Sequence, residues 1–108
     1  MYQLQFTIKA GAALSDIERL NDGLPASLEM PDSGWDAAGI TFIRNAKEMQ
    51  QDELGSGAYA ATVAVGQSVP LQFQLFTGTD TLQLRSGTKA TPVTQTADRV
   101  ITISVITV

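Results

Sequence analysis

Tyr2-Gln3-Leu4-Gln5-Phe6-Thr7-Ile8-Lys9 alternates without a break: Tyr2, Leu4, Phe6 and Ile8 take one side, and Gln3, Gln5, Thr7 and Lys9 take the other. A period of two is the signature of a strand with one buried face. Ala10 and Gly11 end it. Beyond them, Ser15-Asp16-Ile17-Glu18 has the spacing of a helix capping box, but Asp22-Gly23 follows too soon for the ~12 residues of even a marginal isolated helix. The segment therefore reads as a short strand from Asp16 to Leu20. Asn21-Asp22-Gly23 tolerates positive φ, and Leu24, Ala26, Leu28 and Met30 then alternate with Pro25, Ser27 and Glu29. This pattern predicts a hairpin, with Pro25 near an edge or a strand start.

The same grammar continues along the chain. Pro31 to Gly34 is turn chemistry, and Gly39-Ile40-Thr41-Phe42-Ile43-Arg44 has β-branched and aromatic content. Ala46 to Leu54 has helix propensity but stops at Gly55-Ser56-Gly57, which allows a helical turn or a mobile loop. Further strands are expected over Tyr59 to Val65, Leu71 to Phe76 and Thr81 to Ser86, followed by a loop from Gly87 to Thr96 broken at Pro92. Ile101, Ile103 and Val105 form one face of a last strand over Arg99 to Val108. About eight short strands with frequent turns and no βα alternation predict a single all-β domain over residues 1–108, an antiparallel β-sandwich or jelly roll.

Composition narrows the function. The chain has 108 residues, 44% hydrophobic, with neither cysteine nor histidine. Thiolate and imidazole metal ligands, cysteine nucleophiles and Ser-His dyads are thereby excluded, as is a disulfide framework. Seven Lys and Arg stand singly against eleven Asp and Glu, the opposite of the basic face that neutralises phosphates, so no nucleic-acid partner is expected. No stretch approaches the ~18 apolar residues of a membrane span and no leader pattern opens the chain. The expectation is an unprocessed cytosolic product without a membrane partner.

Carboxylate pairs are the remaining acid–base option, with Asp32 and Asp36 or Asp52 and Glu53 nearest in sequence; all lie in polar turns, where acids ordinarily make turns and face solvent. The spacing of a helical calcium loop is absent, and neither Gly55-Ser56-Gly57 nor Gly87-Thr88-Lys89 fits a phosphate loop. No catalytic residue, metal or cofactor is assigned. Trp35 is either a stacking platform for a ligand, together with Tyr59, or a plug at one end of the core. Arg85 and Arg99 interrupt apolar strands and could pair with acids such as Asp98, guard a sheet edge or contact another chain. From Val100 to Val108 the sequence carries no charge, so this strand either lies centrally in its own sheet or pairs with a neighbouring protomer through Ser104, Val105, Ile106 and Val108.

Met30-Pro31, Trp35, Ala37, Thr41-Phe42, Leu82, Arg85-Ser86-Gly87-Thr88, Gln95, Ala97 and Arg99 together form a pattern over Leu20 to Ile103. In this pattern the chain resembles a family of small virion structural proteins of tailed bacteriophages and prophages. The resemblance implies a β-sandwich component of the particle: a capsid decoration or cement protein, or the base of a head spike or fibre. It implies no catalysis, a virion location after assembly in the host cytoplasm, and the major capsid protein or other virion proteins as partners, with self-association. The alternative is a carbohydrate- or receptor-binding sandwich module of a tail or spike. Family members often carry an Asp-Gly hairpin just after the Thr-Phe strand, where this chain has a longer acid-rich stretch from Asn45 to Leu54.

Overall fold

The computed structural model describes residues 2–20, 22–31, 34–36, 38–48, 68–70, 78–87 and 91–107. They form strands and connections, with no helix among them: β1 (Tyr2–Ile8), β2 (Leu14–Arg19), β3 (Leu24–Glu29), β4 (Ile40–Arg44), β5 (Lys47–Glu48), β6 (Ser68–Pro70), β7 (Thr81–Ser86) and β8 (Arg99–Ile106). All pairings are antiparallel, in one sheet of order β5-β4-β7-β2-β1-β8-β3-β6. The six longer strands curl into a half-barrel, with short β5 and β6 at its two ends. The expected strands over Tyr59 to Val65 and Leu71 to Phe76 lie outside the described residues.

The alternation seen in the sequence decides which face points inward. Leu4, Phe6 and Ile8 of β1, Leu82 and Leu84 of β7, and Ile101, Ile103 and Val105 of β8 are buried in one cluster with Ile40, Phe42, Leu28, Leu20 and Met30. Curling brings β4 and β7 over β1 and β8, so a sheet with one apolar face covers that face with itself. Within β4, Ile40, Thr41, Phe42 and Ile43 are all buried, which accounts for the absence of polar alternation there.

The turn from one half of the sheet to the other is made in β2. Its pairing with β7 shifts by one residue between Leu14 and Ile17, a β-bulge, while its pairing with β1 is confined to Ile8 and Ser15. Buried Ser15 repairs the ladder with its own hydroxyl, which accepts a hydrogen bond from Leu84 N at 2.9 Å and donates one to Asp16 O at 2.8 Å. Asp16 then reaches across the widening gap: its Oδ1 accepts the Thr7 N–H at 2.8 Å, in place of a backbone carbonyl. β2 therefore runs beside β7 along its length but stays beside β1 only at its start.

Two expectations about turns are corrected. Asn21-Asp22-Gly23 does not close a hairpin, because β2 lies between β7 and β1 whereas β3 lies between β8 and β6. The segment is instead a crossover between the halves, anchored where the Gly78 N–H donates to Asp22 Oδ1 at 2.7 Å. A Cβ on Gly23 would come within 2.4 Å of Val105 Cγ1 and 2.9 Å of Ile106 O, so the glycine serves close approach to β8. Pro25 does stand near the start of its strand. It precedes the stretch of β3 paired with β6, next to a register shift against β8, where a missing N–H is tolerated.

The second correction concerns the first part of the ambiguous stretch after β4. Asn45 (φ 53°) and Ala46 (φ 63°) form a two-residue turn that pairs Arg44 with Lys47, and neither a helix nor a long loop begins there. Residues 49–54 lie outside the described residues. Asn45 suits a left-handed position, but Ala46 pays a steric penalty of about 1–2 kcal/mol there. Ala46→Gly is expected to stabilise the protein by roughly 0.5–1 kcal/mol, after the entropic cost of glycine is deducted, as read from the shift in a urea midpoint.

The uncharged terminal strand lies centrally. β8 pairs with β1 over Tyr2↔Val105 to Ile8↔Arg99 and with β3 over Leu24↔Ile106 to Glu29↔Thr102. Both of its edges are occupied within the chain, so intermolecular strand pairing through it is overturned. Removing residues 104–108 should therefore abolish folding and not merely assembly. Circular dichroism of the truncated chain should show loss of the β signal and of a cooperative thermal transition.

Candidate functional site

Ser86 and Arg99 meet at Gln95, in the loop before β8. Its side chain is 1% exposed yet fully bonded: Oε1 accepts the Asp36 N–H at 2.9 Å and Arg99 Nε–H at 3.2 Å, while Nε2 donates to Ser86 Oγ at 2.8 Å and to Asp36 O at 3.1 Å. All the hydrogen-bonding capacity of a primary amide is used. Main-chain bonds extend the knot, from Gln95 N to Ala12 O and from Gly11 N to Gln95 O. Through its side chain and its main chain, one residue thus joins the segment before β4, the end of β7, the β1–β2 turn and the start of β8.

Asp36 is the acidic member of this knot. Its Oδ2 accepts the Thr96 N–H at 2.6 Å, its Oδ1 accepts the Thr96 hydroxyl at 3.3 Å, and Arg99 Nη2 lies 3.7 Å from Oδ1. Gly87 adjoins the knot with φ +86°. A Cβ there would lie 2.5 Å from Thr91 O, and its carbonyl accepts the Thr41 hydroxyl at 2.6 Å. Gly87 therefore fits the bend where β7 leaves the sheet, and it is not part of a phosphate loop.

A second polar cluster closes the opposite end of β7. Asp80, 8% exposed, is ion-paired with Arg44 and accepts a hydrogen bond from Asn45 Nδ2 at 2.8 Å; Asn45 Oδ1 in turn accepts the Thr81 N–H at 2.9 Å. These contacts hold the β4–β5 turn against the sheet, and Leu20 N–H donates to Asp80 O from the β2 side.

The third cluster lies at the gap between β1 and β2. Burial works against the charge on Asp16, but hydrogen bonds from Glu18, from Thr7 N–H and from its own N–H, with the charge of Lys9, hold its carboxyl below the ordinary range. Glu18 is displaced the other way, to about 7, first by that shared hydrogen bond, then by burial and by repulsion from Asp16. The two carboxyls titrate as a pair.

Several assignments made from sequence are corrected by this geometry. Arg99 faces Asp36 and Gln95, not Asp98, whose carboxylate takes the Ala10 N–H at 2.9 Å and lies 3.8 Å from Lys9 Nζ. Arg85 is half-buried in β7, between Leu14 of β2 and Thr41 of β4. Neither arginine guards an edge, because β7 and β8 are both internal to the sheet. Ser104 and Val105 are buried within the chain and are not available as assembly contacts, whereas Ile106 is 44% exposed. Trp35 packs partly buried against the core, and its Nε1–H donates to Ala38 O at 3.3 Å, the arrangement of a plug and not of a free stacking platform. Tyr59, Val108, Asp32, Asp52 and Glu53 lie outside the described residues.

Gln95 was the residue that sequence reasoning left without a role, since a glutamine in a polar loop looks solvated until its distant partners are known. Chemically, these clusters supply hydrogen bonds to main-chain and side-chain donors. Among the described residues, no three acidic side chains gather as a metal-binding group. Gln95→Ala leaves Asp36 N–H, Ser86 Oγ and Arg99 Nε–H without their partner, and is expected to cost about 2–4 kcal/mol in urea unfolding while leaving any surface binding of the folded fraction intact. Comparisons of the chain with protein-family models, with curated proteins and with solved structures found no match.

Proposed function

We propose that this protein is a non-enzymatic structural component of a bacteriophage particle. It binds the capsid exterior as a decoration or cement protein, or forms the base of a head spike, and its curled sheet belongs to a β-sandwich or jelly roll of about eight strands. Its partners are the major capsid protein or other virion proteins and further copies of itself, and its location is the virion. The observation that carries this reading is the knot at Gln95, where three residues of the resemblance pattern meet: the Gln95 side chain bonds to both Ser86 and Arg99, and with Arg99 it also holds Asp36. A bonded network that fixes the loops at one end of the sheet suits a protein whose product is a surface.

Two further features support it. Of the described aspartates, Asp16, Asp22, Asp36 and Asp98 each accept a main-chain N–H and so brace the backbone. On the outside, Ile17 is 62% exposed and Leu14 43%, both on β2, offering apolar area to another protein surface. A small domain with a narrow stability margin gains by mass action when it is held on a shell.

The purified chain is expected to co-sediment with capsid shells assembled from the major capsid protein and to raise their thermal disassembly temperature. A monodisperse monomer that ignores such shells would refute the proposal, as would hydrolytic turnover lost on changing one acidic side chain.

A further inference from the structure

β1 is paired along its whole length on one side only. Its ladder with β8 runs without a shift from Tyr2↔Val105 to Ile8↔Arg99, whereas toward β2 it has the single pair Ile8↔Ser15. In an antiparallel ladder, successive residues alternate between exchanging main-chain bonds with the neighbouring strand and turning those groups away from it. The Thr7 N–H is taken on the β2 side by Asp16 Oδ1, so Thr7 turns away from β8, and by the same alternation so do Gln5 and Gln3. Asp16 closes the fork at Thr7. Past it, the outward N–H and C=O of Gln5 and Gln3 meet no strand among the described residues, and both side chains are exposed.

The other edges of the sheet are defended. β5 is Lys47–Glu48, both charged; β6 ends in Pro70; and β2, across the fork, carries a bulge together with Asp16, Glu18 and Arg19. Charges, proline and bulges are the devices that keep a sheet edge from pairing with another chain. Over Tyr2–Ile8, β1 has no charged residue, no proline and no register shift against β8. We propose that the open edge of β1 at Gln3 and Gln5 is a strand-pairing surface for a second copy of this chain, joined antiparallel about a twofold axis at Leu4.

Two features select a second copy over an unrelated strand. The open groups are self-complementary: with Gln3 opposite Gln5 of the second copy, and Gln5 opposite its Gln3, every outward N–H meets a C=O and none is left over. The chain also carries a formal net charge of −4, which opposes self-association, and Tyr2–Ile8 is a stretch that brings no charge to the contact. The axis stands perpendicular to the sheet, so Leu4 and Phe6 of both copies stay on the inner side and the Gln3 and Gln5 amides meet on the outer side. So small a contact is weak between two free chains and is reinforced where many copies stand side by side. The inference gives a surface to the self-association proposed above and rests on that part of the reading alone; capsid binding can fail without touching it, since no shell enters the test.

Amide hydrogen exchange of the full chain, followed by NMR from dilute solution up to about 1 mM, is that test. In dilute solution the Leu4 and Phe6 amides, bonded to β8, should be protected, while those of Gln3 and Gln5 exchange as open groups. At the higher concentration the protection of Gln3 and Gln5 should rise roughly fivefold by mass action, with a dimer in sedimentation velocity. Gln3→Lys/Gln5→Lys sets like charges opposite each other in both pairs and should abolish that rise, whereas Gln3→Lys/Gln5→Glu sets opposite charges there and should keep or strengthen it. Both positions are exposed, so these substitutions should leave the thermal midpoint in dilute solution unchanged. Gln5→Pro removes an N–H that β8 does not use and should give a folded monomer. Gln3 and Gln5 amides already protected in dilute solution, a monomer at about 1 mM, a dimer indifferent to the like-charged variant, or association lost in the opposite-charged variant as well would each overturn the proposal.

Discussion

The bulge at Ser15–Asp16 is the constraint on which the rest of the architecture depends. A flat sheet with one apolar face would leave Leu4, Phe6, Ile8, Ile101 and Ile103 against water. Here β2 parts from one neighbour, β1, partway along while it keeps β7, and such a parting leaves main-chain groups unbonded. Here the unbonded groups are Leu84 N–H and Thr7 N–H, taken up by the Ser15 hydroxyl and the Asp16 carboxylate. An unpaired buried N–H costs about 1–3 kcal/mol, comparable to the burial of a whole aliphatic side chain. The Ser15 hydroxyl thus meets a buried N–H that curling would strand, while Asp16 takes the exposed one.

The same economy governs both ends of β7. Gln95 and Asp80 are polar groups in buried positions, each surrounded by partners from segments distant in sequence. No buried side-chain nitrogen or oxygen among the described residues lacks a partner. Fully satisfied networks of this kind specify one arrangement of loops, because a shifted loop would strand several groups at once. The aliphatic core, by contrast, accepts many shapes of similar volume.

Legibility in the sequence followed the range of the interaction. The strands β1, β7 and β8 were visible because period-two alternation is local and their inner faces are apolar but for Ser86 at the end of β7. Asn21-Asp22-Gly23 was misassigned because the same residues serve a tight hairpin and a crossover, and which one forms depends on β2 turning toward β7. The turn at Asn45-Ala46 was hidden because alanine rarely takes positive φ. Central placement of β8 was one of two alternatives its uncharged sequence allowed, and only its neighbours select between them. The Gln95 knot had no local signal, since its partners Asp36 and Ser86 are brought close by the fold.

The antiparallel ladder between β1 and β8 also sets an order of events in folding. The amino-terminal strand finds its longest run of backbone partners in the strand that is translated last of the eight, from Tyr2↔Val105 to Ile8↔Arg99. Contacts of such long sequence separation form slowly, since the intervening chain must be ordered or looped out first. Until β8 emerges, the apolar side of Tyr2–Ile8 has no ladder mate on that edge, and a fold built on such a contact keeps apolar surface open longer than one built from neighbouring segments.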